Sequence, residues 1–397
     1  MVQDQQNECS TPPSYTNKLF SEFLRTLDTS LFTKGNLKGG LAALFASLLA
    51  VCSNTAVGRE SPLEASGVRS DFVCTHDVSP FPQNTDAQRL FDYARHLDYL
   101  LKRRVKGRDF GSESVDELNR ISRYYRIASA HGNAKATEAL HYLQWRLTDT
   151  TYDGVPTRLR RNREEETKRL RELLTQQSPS RGYRLQAGMF RQAWNLREAL
   201  VLFRKAADMG DAESQFLLAE YLDVDSIIGP AAFGAKAEDK AFALPLYRCA
   251  AQQGHGGAMY ELAIKQIDER RYAEAMAGFQ QAVMEGNAAA AYRLREAFGE
   301  GSNSTRSLGV AKDAARYERY EKIRIFLIQE EQFAPRVPDL DRIVPLPPAA
   351  LPEWNGEFLW KSEQLEPREA PSETLVARMA KAKTLDSRTG LAKDAAQ

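Results

Sequence analysis

The sequence predicts an all-α fold, a solenoid of stacked helix pairs followed by an extended, proline-rich strap. Three observations support this prediction. A pattern of aromatic, Ala, Gly and Leu positions recurs four times between residues 125 and 294, helical periodicity continues on both sides of it, and five prolines lie between residues 338 and 352. One helix pair cannot bury its own apolar face, so several pairs must stack to form a core.

The chain begins with residues 1–58, which we interpret as an export leader. An uncharged apolar run, residues 41–51, follows Lys34 and Lys38 and ends at Cys52. Eleven helical residues rise about 16 Å, too little for the roughly 30 Å hydrocarbon core of a bilayer, and a basic flank before a short apolar run is typical of a signal peptide. The tetrad Leu-Ala-Val-Cys that ends at Cys52 resembles the bacterial lipobox, which implies lipidation of Cys52 and a periplasmic, lipid-anchored protein. The alternative is a buried core helix.

The leader is followed by a predicted extended N-terminal segment, residues 59–83, and by a solenoid predicted to span residues 84–330. The first helix of the solenoid is predicted from Asn84 to Leu101, where apolar residues recur at helical spacing. Asn84 or Thr85, after Pro82, is a candidate N-cap because its side chain can accept a hydrogen bond from a free backbone N–H of the first turn.

Four segments align without gaps and carry the repeat. Each has an aromatic residue seven positions before a Gly, an Ala four before it, a small residue four after it and a Leu eight after it. The aromatic residue and the Ala lie three apart and share one helical face, and a Gly ends the helix because the left-handed conformation costs Gly little. Ala lets neighbouring helices approach closely where they cross. The four glycines are Gly132, Gly210, Gly254 and Gly286.

The unequal spacing of these glycines predicts insertions between the units. Residues 148–182 are predicted to hold a degenerate unit with a charged helix, Arg161 to Leu174. Its charges are interpreted as a solvated face, and a docking stripe for a charged partner is the alternative. Pro230 to Glu238 is predicted to form a loop, and Lys312 to Gln329 a further helix.

The pattern resembles the Sel-one-like repeat, a relative of the tetratricopeptide repeat, and Ala199 to Leu222 match it best. The resemblance implies a right-handed solenoid in which the first helix of each pair, here the helix after each repeat Gly, lines a concave partner-binding face. Positions two before and two after the repeat Leu are then predicted to project into that face: Phe216, Glu220, Tyr260, Ile264, Tyr292 and Glu296. Aromatic residues with acidic neighbours suit a binding hot spot. The alternative is that the three aromatic residues only pack between units.

The composition changes from Pro335 onward. The five prolines between Pro338 and Pro352 exclude both a helix and a central strand, so residues 331–362 are predicted to form a strap that packs back along the repeats. A ligand for proline-recognising domains is the alternative. Residues 363–397 are polar and rich in Ala and Lys, and are predicted to form a frayed helix or a disordered tail.

The run from Asp339 to Trp354 has the form Asp-Leu-Asp-x-Ile-Val-Pro-Leu-Pro-Pro-x-x-Leu-Pro-x-Trp. It resembles the end of a bacterial group of exported Sel-one-like proteins, which includes immunity proteins encoded beside phospholipase effectors of the type VI secretion system. The resemblance implies a binding protein that sequesters a lipase-type effector toxin acting in the periplasm. An envelope scaffold or adaptor that assembles a complex through its repeats is the alternative.

No motif in the sequence indicates an enzyme. The chain lacks H-E-x-x-H, G-x-S-x-G and G-x-x-x-x-G-K-[ST], and it lacks the His-x-Lys-x-x-x-x-Asp element of phospholipases. Lys and Arg total 54 against 53 for Asp and Glu, and this balance argues against a nucleic-acid partner. No cysteines have C-x-x-C spacing, so neither a metal nor a cofactor is predicted. The sequence leaves open whether Cys74 and Cys249 pair.

Overall fold

The computed structural model describes residues 64, 66–67, 71–77, 84–105, 114–148, 157–223, 239–300 and 308–393, all within the compact unit of residues 60–397. The predicted leader with Cys52 and the predicted loop from Pro230 to Glu238 lie outside these residues. None of the described helices is both long and apolar enough to cross a membrane.

The described part of the chain contains fifteen α-helices and no β-strand, so the all-α prediction is confirmed. The helices are α1 (Thr85–Val105), α2 (Val115–Ala130), α3 (Ala134–Thr148), α4 (Thr157–Gln177), α5 (Pro179–Gln192), α6 (Leu196–Asp208), α7 (Ala212–Leu222), α8 (Lys240–Gln252), α9 (Gly256–Asp268), α10 (Tyr272–Met284), α11 (Ala288–Glu300), α12 (Ala314–Gln329), α13 (Leu340–Ile343), α14 (Leu359–Leu365) and α15 (Glu373–Ala382).

The first twelve helices form six consecutive pairs. In each pair the odd-numbered helix, called here the A helix, packs most extensively on the even-numbered B helix that follows it. From α3 onward, each A helix also contacts the B helix that precedes it, so the pairs form a continuous stack. The predicted solenoid of helix pairs is therefore confirmed, and the predicted charged helix is the B helix α4.

The repeat positions form the contacts between these helices. Ala or Ser at the two small positions is completely buried in all four units: Ala128, Ala136, Ala206, Ser214, Ala250, Ala258, Ala282 and Ala290. The aromatic position is buried as well: Tyr125, Phe203, Tyr247 and Phe279. A small side chain at the crossing point lets two helices approach closely, and the larger neighbours then fill the space beside it.

The turns after four of the B helices, α2, α6, α8 and α10, use Gly as predicted. The four repeat glycines have φ between 83° and 92°, in the left-handed region that favours Gly. Gly210 meets a second constraint, because a Cβ built on it would lie 2.2 Å from the backbone carbonyl carbon of His76. The chain before the solenoid therefore crosses directly over the turn between α6 and α7.

That crossing chain is residues 71–77, called here the N-terminal segment. Cys74 forms a disulfide with Cys249 on α8, with their Cα atoms 5.5 Å apart. The hydroxyl of Thr75 donates a hydrogen bond to the carbonyl oxygen of Asp208 at 2.7 Å. The N-terminal segment is thus fixed covalently to the middle of the stack, and the pairing left open by the sequence is settled.

The strap packs along α10 and α12, as the sequence predicts. The backbone N–H of Val337 donates to the carbonyl of Met284 at 3.0 Å, at the end of α10. The side-chain amide of Gln280 donates to the carbonyl of Val344, also at 3.0 Å. The backbone groups of the strap therefore form hydrogen bonds with the repeats instead of with a neighbouring strand.

One part of the strap prediction is wrong. Residues Leu340–Ile343 form a single helical turn, α13. Pro338 lies before this turn, at a position whose N–H would make no hydrogen bond within the helix, and Pro345 lies after it. The six residues between these two prolines can therefore form a helical turn.

The end of the chain returns to the first helix pair. Helix α14 packs on α1, and the ring of Trp360 lies 6.0 Å from the ring of Tyr99. Arg103 on α1 forms an ion pair at 3.0 Å with Glu330, the residue after α12. Residues 331–393, called here the closing segment, therefore bridge the last helix pair to the first.

The prediction of a frayed helix or disordered tail is wrong for α15. Val376, Met379 and Ala380 are buried in one apolar cluster together with residues of α1 and α2. Ser372 caps the helix by accepting a hydrogen bond from the backbone N–H of Leu375 at 3.2 Å. Val376, Met379 and Ala380 form a short apolar stripe at helical spacing, and α15 packs through this face.

Candidate protein-binding groove

Two of the six residues predicted to face a partner lie on α11. Tyr292 is 41% exposed, and the guanidinium of Arg295 lies 4.6 Å from its ring centre. Glu296 forms an ion pair with the same Arg295 at 2.6 Å. The binding role of Tyr292 and Glu296 stays a prediction, and Tyr292 is the only exposed residue of the six.

Three others are partly buried between neighbouring units. The ring of Phe216 stacks on the imidazole of His255 with centroids 4.4 Å apart. The ring of Tyr260 lies 5.5 Å from that of Phe279, and Ile264 packs against the same apolar cluster. The geometry of these three side chains agrees with the alternative that they fill space between helix pairs.

Glu220 is placed differently from the expectation. It is 6% exposed and accepts a hydrogen bond of 2.5 Å from the hydroxyl of Tyr247 on α8. The expectation that Glu220 projects into an open face is therefore wrong. The carboxylate of Glu220 lies in the contact between α7 and α8, where it is hydrogen-bonded to the buried hydroxyl of Tyr247.

Further acids surround this contact. Burial, together with the negative charges of Glu220 and Asp223, raises the pKa of Glu261 on α9 to about 7, and the nearby Lys265 only partly opposes this rise. Lys265 forms an ion pair with Asp223 and so compensates another member of the cluster. The cluster is an internal electrostatic feature of the stack.

An open groove of about 480 Å³ lies on the A helices α3, α5 and α7. Three large side chains stand in it although they are exposed: Tyr142 at 44%, Trp145 at 45% and Met189 at 42%. We call it the A-helix groove and define it by six lining residues, His141, Tyr142, Trp145, Arg171, Met189 and Arg191. A second hollow of about 690 Å³ adjoins it, shares Arg171 and Met189, and continues along α4 and α5.

One arginine in the groove has its charge balanced internally. Arg184 forms ion pairs with Glu138 and, at 3.1 Å, with Asp211. Burial alone would lower the pKa of Arg184, but the two carboxylates raise it above its usual value. Within the described part of the chain Arg171, by contrast, forms no ion pair. Its charge is therefore available to a group that enters the groove.

His141 lies in the wall of the groove. It is 4% exposed, and neither ring nitrogen has a hydrogen-bond partner among the described residues. Burial, with the positive charge of Arg171 adding to it, lowers the pKa of His141 to about 4, so the imidazole is neutral at pH 7. The ring of Tyr142 stands edge-on to it, with centroids 5.7 Å apart.

Sequence reasoning missed the A-helix groove, although one signal for it is present. Tyr142 lies ten positions after Gly132, in the register that Glu220 occupies after Gly210. Extending the predicted face to the first unit would have found it. Met189 gives no such signal, because the turn between α4 and α5 holds Ser178 instead of a repeat Gly.

Comparison with known proteins gives similarities of two kinds. Residues 290–393 match a family described as a domain of unknown function, DUF6396. The match covers α11, α12 and the closing segment, roughly the last quarter of the chain. No curated protein matches the chain significantly.

Among the solved structures similar to this chain are immunity proteins and a Sel1 repeat protein. The immunity protein PA5088 from Pseudomonas aeruginosa is 22% identical, with a TM-score of 0.48, over 70% of this chain and 94% of its own. PA5086 from the same organism is also 22% identical, with a TM-score of 0.49, over 70% of this chain and 96% of its own. A Sel1 repeat protein from Oxalobacter formigenes is 18% identical, with a TM-score of 0.39, over 61% of this chain and 98% of its own. The fold assignment itself stands on the helix pairs described above.

Proposed function

We propose that this protein binds and sequesters a partner protein, and that it is an immunity protein against a periplasm-acting, lipase-type effector of the type VI secretion system. The observation that carries the proposal is the A-helix groove. Aromatic and methionine side chains stand exposed along successive A helices, beside Arg171, which forms no ion pair with any described residue. Anchors of this type concentrate binding energy in protein interfaces.

The class of partner comes from the sequence resemblance of the run Asp339 to Trp354. That run lies in the strap and packs along α10 and α12, so it also has a structural role. The groove supports a protein partner in general, and the resemblance supports an effector toxin in particular.

We further propose that the protein is exported to the periplasm and anchored through a lipid on Cys52. The apolar run before Cys52 supports export. The disulfide between Cys74 and Cys249 supports it independently, because disulfides persist in oxidising compartments such as the periplasm. Fractionation should recover the chain from the periplasm or membrane, and Cys52→Ser should remove lipid labelling. A cytosolic chain that retains Met1 would contradict export.

The effector hypothesis is tested with the product of a lipase-type gene neighbouring that of this chain. The toxin is directed to the periplasm of a bacterial host, with and without this protein. We expect growth to be restored by the protein and the two chains to coelute after purification. Absence of both effects contradicts the immunity role, and copurification with an envelope assembly instead would favour the scaffold alternative.

A further inference from the structure

The apolar part of the A-helix groove fits apolar side chains of a partner. Trp145 and Tyr142 stand on α3, and Met189 faces the same groove from α5. Each is more than 40% exposed, although large side chains of this kind gain free energy when they leave water. Methionine adapts its shape to what it packs against, so this surface can receive aromatic or branched side chains.

The charge of the groove favours a carboxylate. Its lining contains Arg171, Arg184 and Arg191 against a single acid, Glu213. Glu213 is engaged by Nε2 of His255 at 3.0 Å, a hydrogen bond that lowers the pKa of Glu213. Arg184 is balanced by its own carboxylates, and Arg191 hydrogen-bonds to the side chain of Tyr221. Arg171 forms no ion pair among the described residues and borders both hollows, so it is the cation that we assign to a ligand.

His141 gives a second, independent indication that a ligand belongs in the groove. A buried polar group without a hydrogen bond has lost its hydration without replacement, at a cost of roughly 1–3 kcal/mol. Such groups are rare in folded proteins. The ring beside His141 is that of Tyr142, which is 44% exposed on the groove side.

We propose that the A-helix groove is the docking site for an acidic, apolar segment of the partner protein. Apolar side chains of the segment lie against Trp145 and Met189, and one of its carboxylates pairs with Arg171. The ring of Tyr142 turns aside, and the same carboxylate accepts a hydrogen bond from His141. This inference rests on the proposed function in assuming that the partner is a protein.

Two labelled peptides test the proposal on the full chain. One is about twelve residues of Leu, Phe and Glu, and the other has Gln in place of every Glu; binding is followed by fluorescence anisotropy. The Glu peptide should bind at least about tenfold more tightly than the Gln peptide. Arg171→Gln should remove most of that difference, whereas Arg169→Gln, which changes an exposed arginine of the same helix outside the groove, should leave it intact.

The apolar contacts and the histidine have their own variants. Trp145→Ala should lower the binding affinity for both peptides by about tenfold, while Ile328→Ala, at an exposed position on α12, should change neither affinity. His141→Phe keeps a ring but removes the unpaired nitrogens. It should leave the melting temperature equal or higher and weaken the Glu peptide by about fivefold. A histidine with a structural role only would instead lower the melting temperature and leave binding unchanged.

The outcomes separate the groove from the proposed function. The groove proposal is overturned if neither peptide binds, if both bind equally, or if Arg171→Gln behaves like Arg169→Gln. It is also overturned if a folded double variant, Trp145→Ala with Arg171→Gln, still neutralises the toxin, and in that case the immunity role stands. Peptide binding as expected without any toxin neutralisation overturns the immunity role and leaves the groove in place.

Discussion

Glu261 carries the pH dependence of the contact between α7 and α9. Its pKa of about 7 in the folded chain lies above the ordinary value of 4.5. The protonated carboxyl is therefore the form that the fold favours, so its contribution to stability is complete below pH 4.5 and is lost as the pH rises through 7. We predict that Glu261→Gln raises the melting temperature at pH 8 and changes it little at pH 4.5.

The matched control for this prediction is Glu363→Gln. Glu363 is exposed, and no ion pair involves it among the described residues. Thermal unfolding of both variants at the two pH values is the measurement. An equal rise in the melting temperature of Glu261→Gln at both pH values would show that the acid cluster does not raise the pKa of Glu261.

The repeat alanines allow a test of helix contact at the same scale. Ala206 and Ala250 are completely buried where neighbouring helices cross. A larger side chain at either position forces the helices apart, so Ala206→Leu and Ala250→Leu should each lower the free energy of unfolding by about 1–3 kcal/mol. Ala273→Leu, at an exposed position on α10, is the control and should change it little. Denaturant unfolding would measure all three, and equal stabilities would mean that the repeat register is wrong.

Among the helices, the sequence predicted those whose boundaries follow a strong local rule. The helices beside the four repeat glycines were found because an aromatic residue, an Ala and a Gly recur at fixed spacing. The boundary between α4 and α5 gives no such rule, since Ser178 replaces the Gly. Two of the six residues that define the A-helix groove, Met189 and Arg191, lie on α5, and this is why the groove was not predicted from the sequence.

Helix α15 shows a second reason for failure. Its stripe of Val376, Met379 and Ala380 is short, and the partner surface lies on α2, some 250 residues earlier in the chain, as the ion pair of Arg123 with Glu373 shows. Helical periodicity reports that a face is apolar but not which distant helix will cover it. A contact over such a separation cannot be read from local pattern alone.

Removing one buried side chain from α15 tests its packing. Met379 is 4% exposed and lies in the cluster with α2. Met379→Ala should lower the free energy of unfolding by about 2–5 kcal/mol, because it removes apolar contacts and leaves a cavity. Lys381→Ala, an exposed change on the same turn of the helix, should cost little. If the two variants unfold at the same denaturant concentration, α15 does not pack on the solenoid in solution.

For the molecule as a whole, the disulfide ties the N-terminal segment to the centre of the stack. Cys74 and Cys249 are 175 positions apart, so the bond closes a long loop and restricts the unfolded chain strongly. We predict that Cys74→Ser lowers the free energy of unfolding by about 2–5 kcal/mol. Thermal unfolding with and without a reductant provides the internal control, because the reductant should destabilise the natural chain and leave the variant unchanged. A natural chain indifferent to the reductant would contradict the bond.

The closing segment changes how the molecule is expected to lose its structure. In an open repeat array each unit touches only its neighbours, so the terminal units fray first and unfolding proceeds in steps. Here the ion pair between Arg103 and Glu330 joins the first unit to the end of the last, and Trp360 of the closing segment contacts both Tyr99 in the first unit and Phe326 in the last. Neither terminal unit is therefore a free end. Cooperativity should therefore extend around the whole array, and calorimetry of residues 60–397 should show one transition. Arg103→Ala combined with Tyr99→Ala should split that transition in two, because the array then regains its ends and the first helix pair melts by itself.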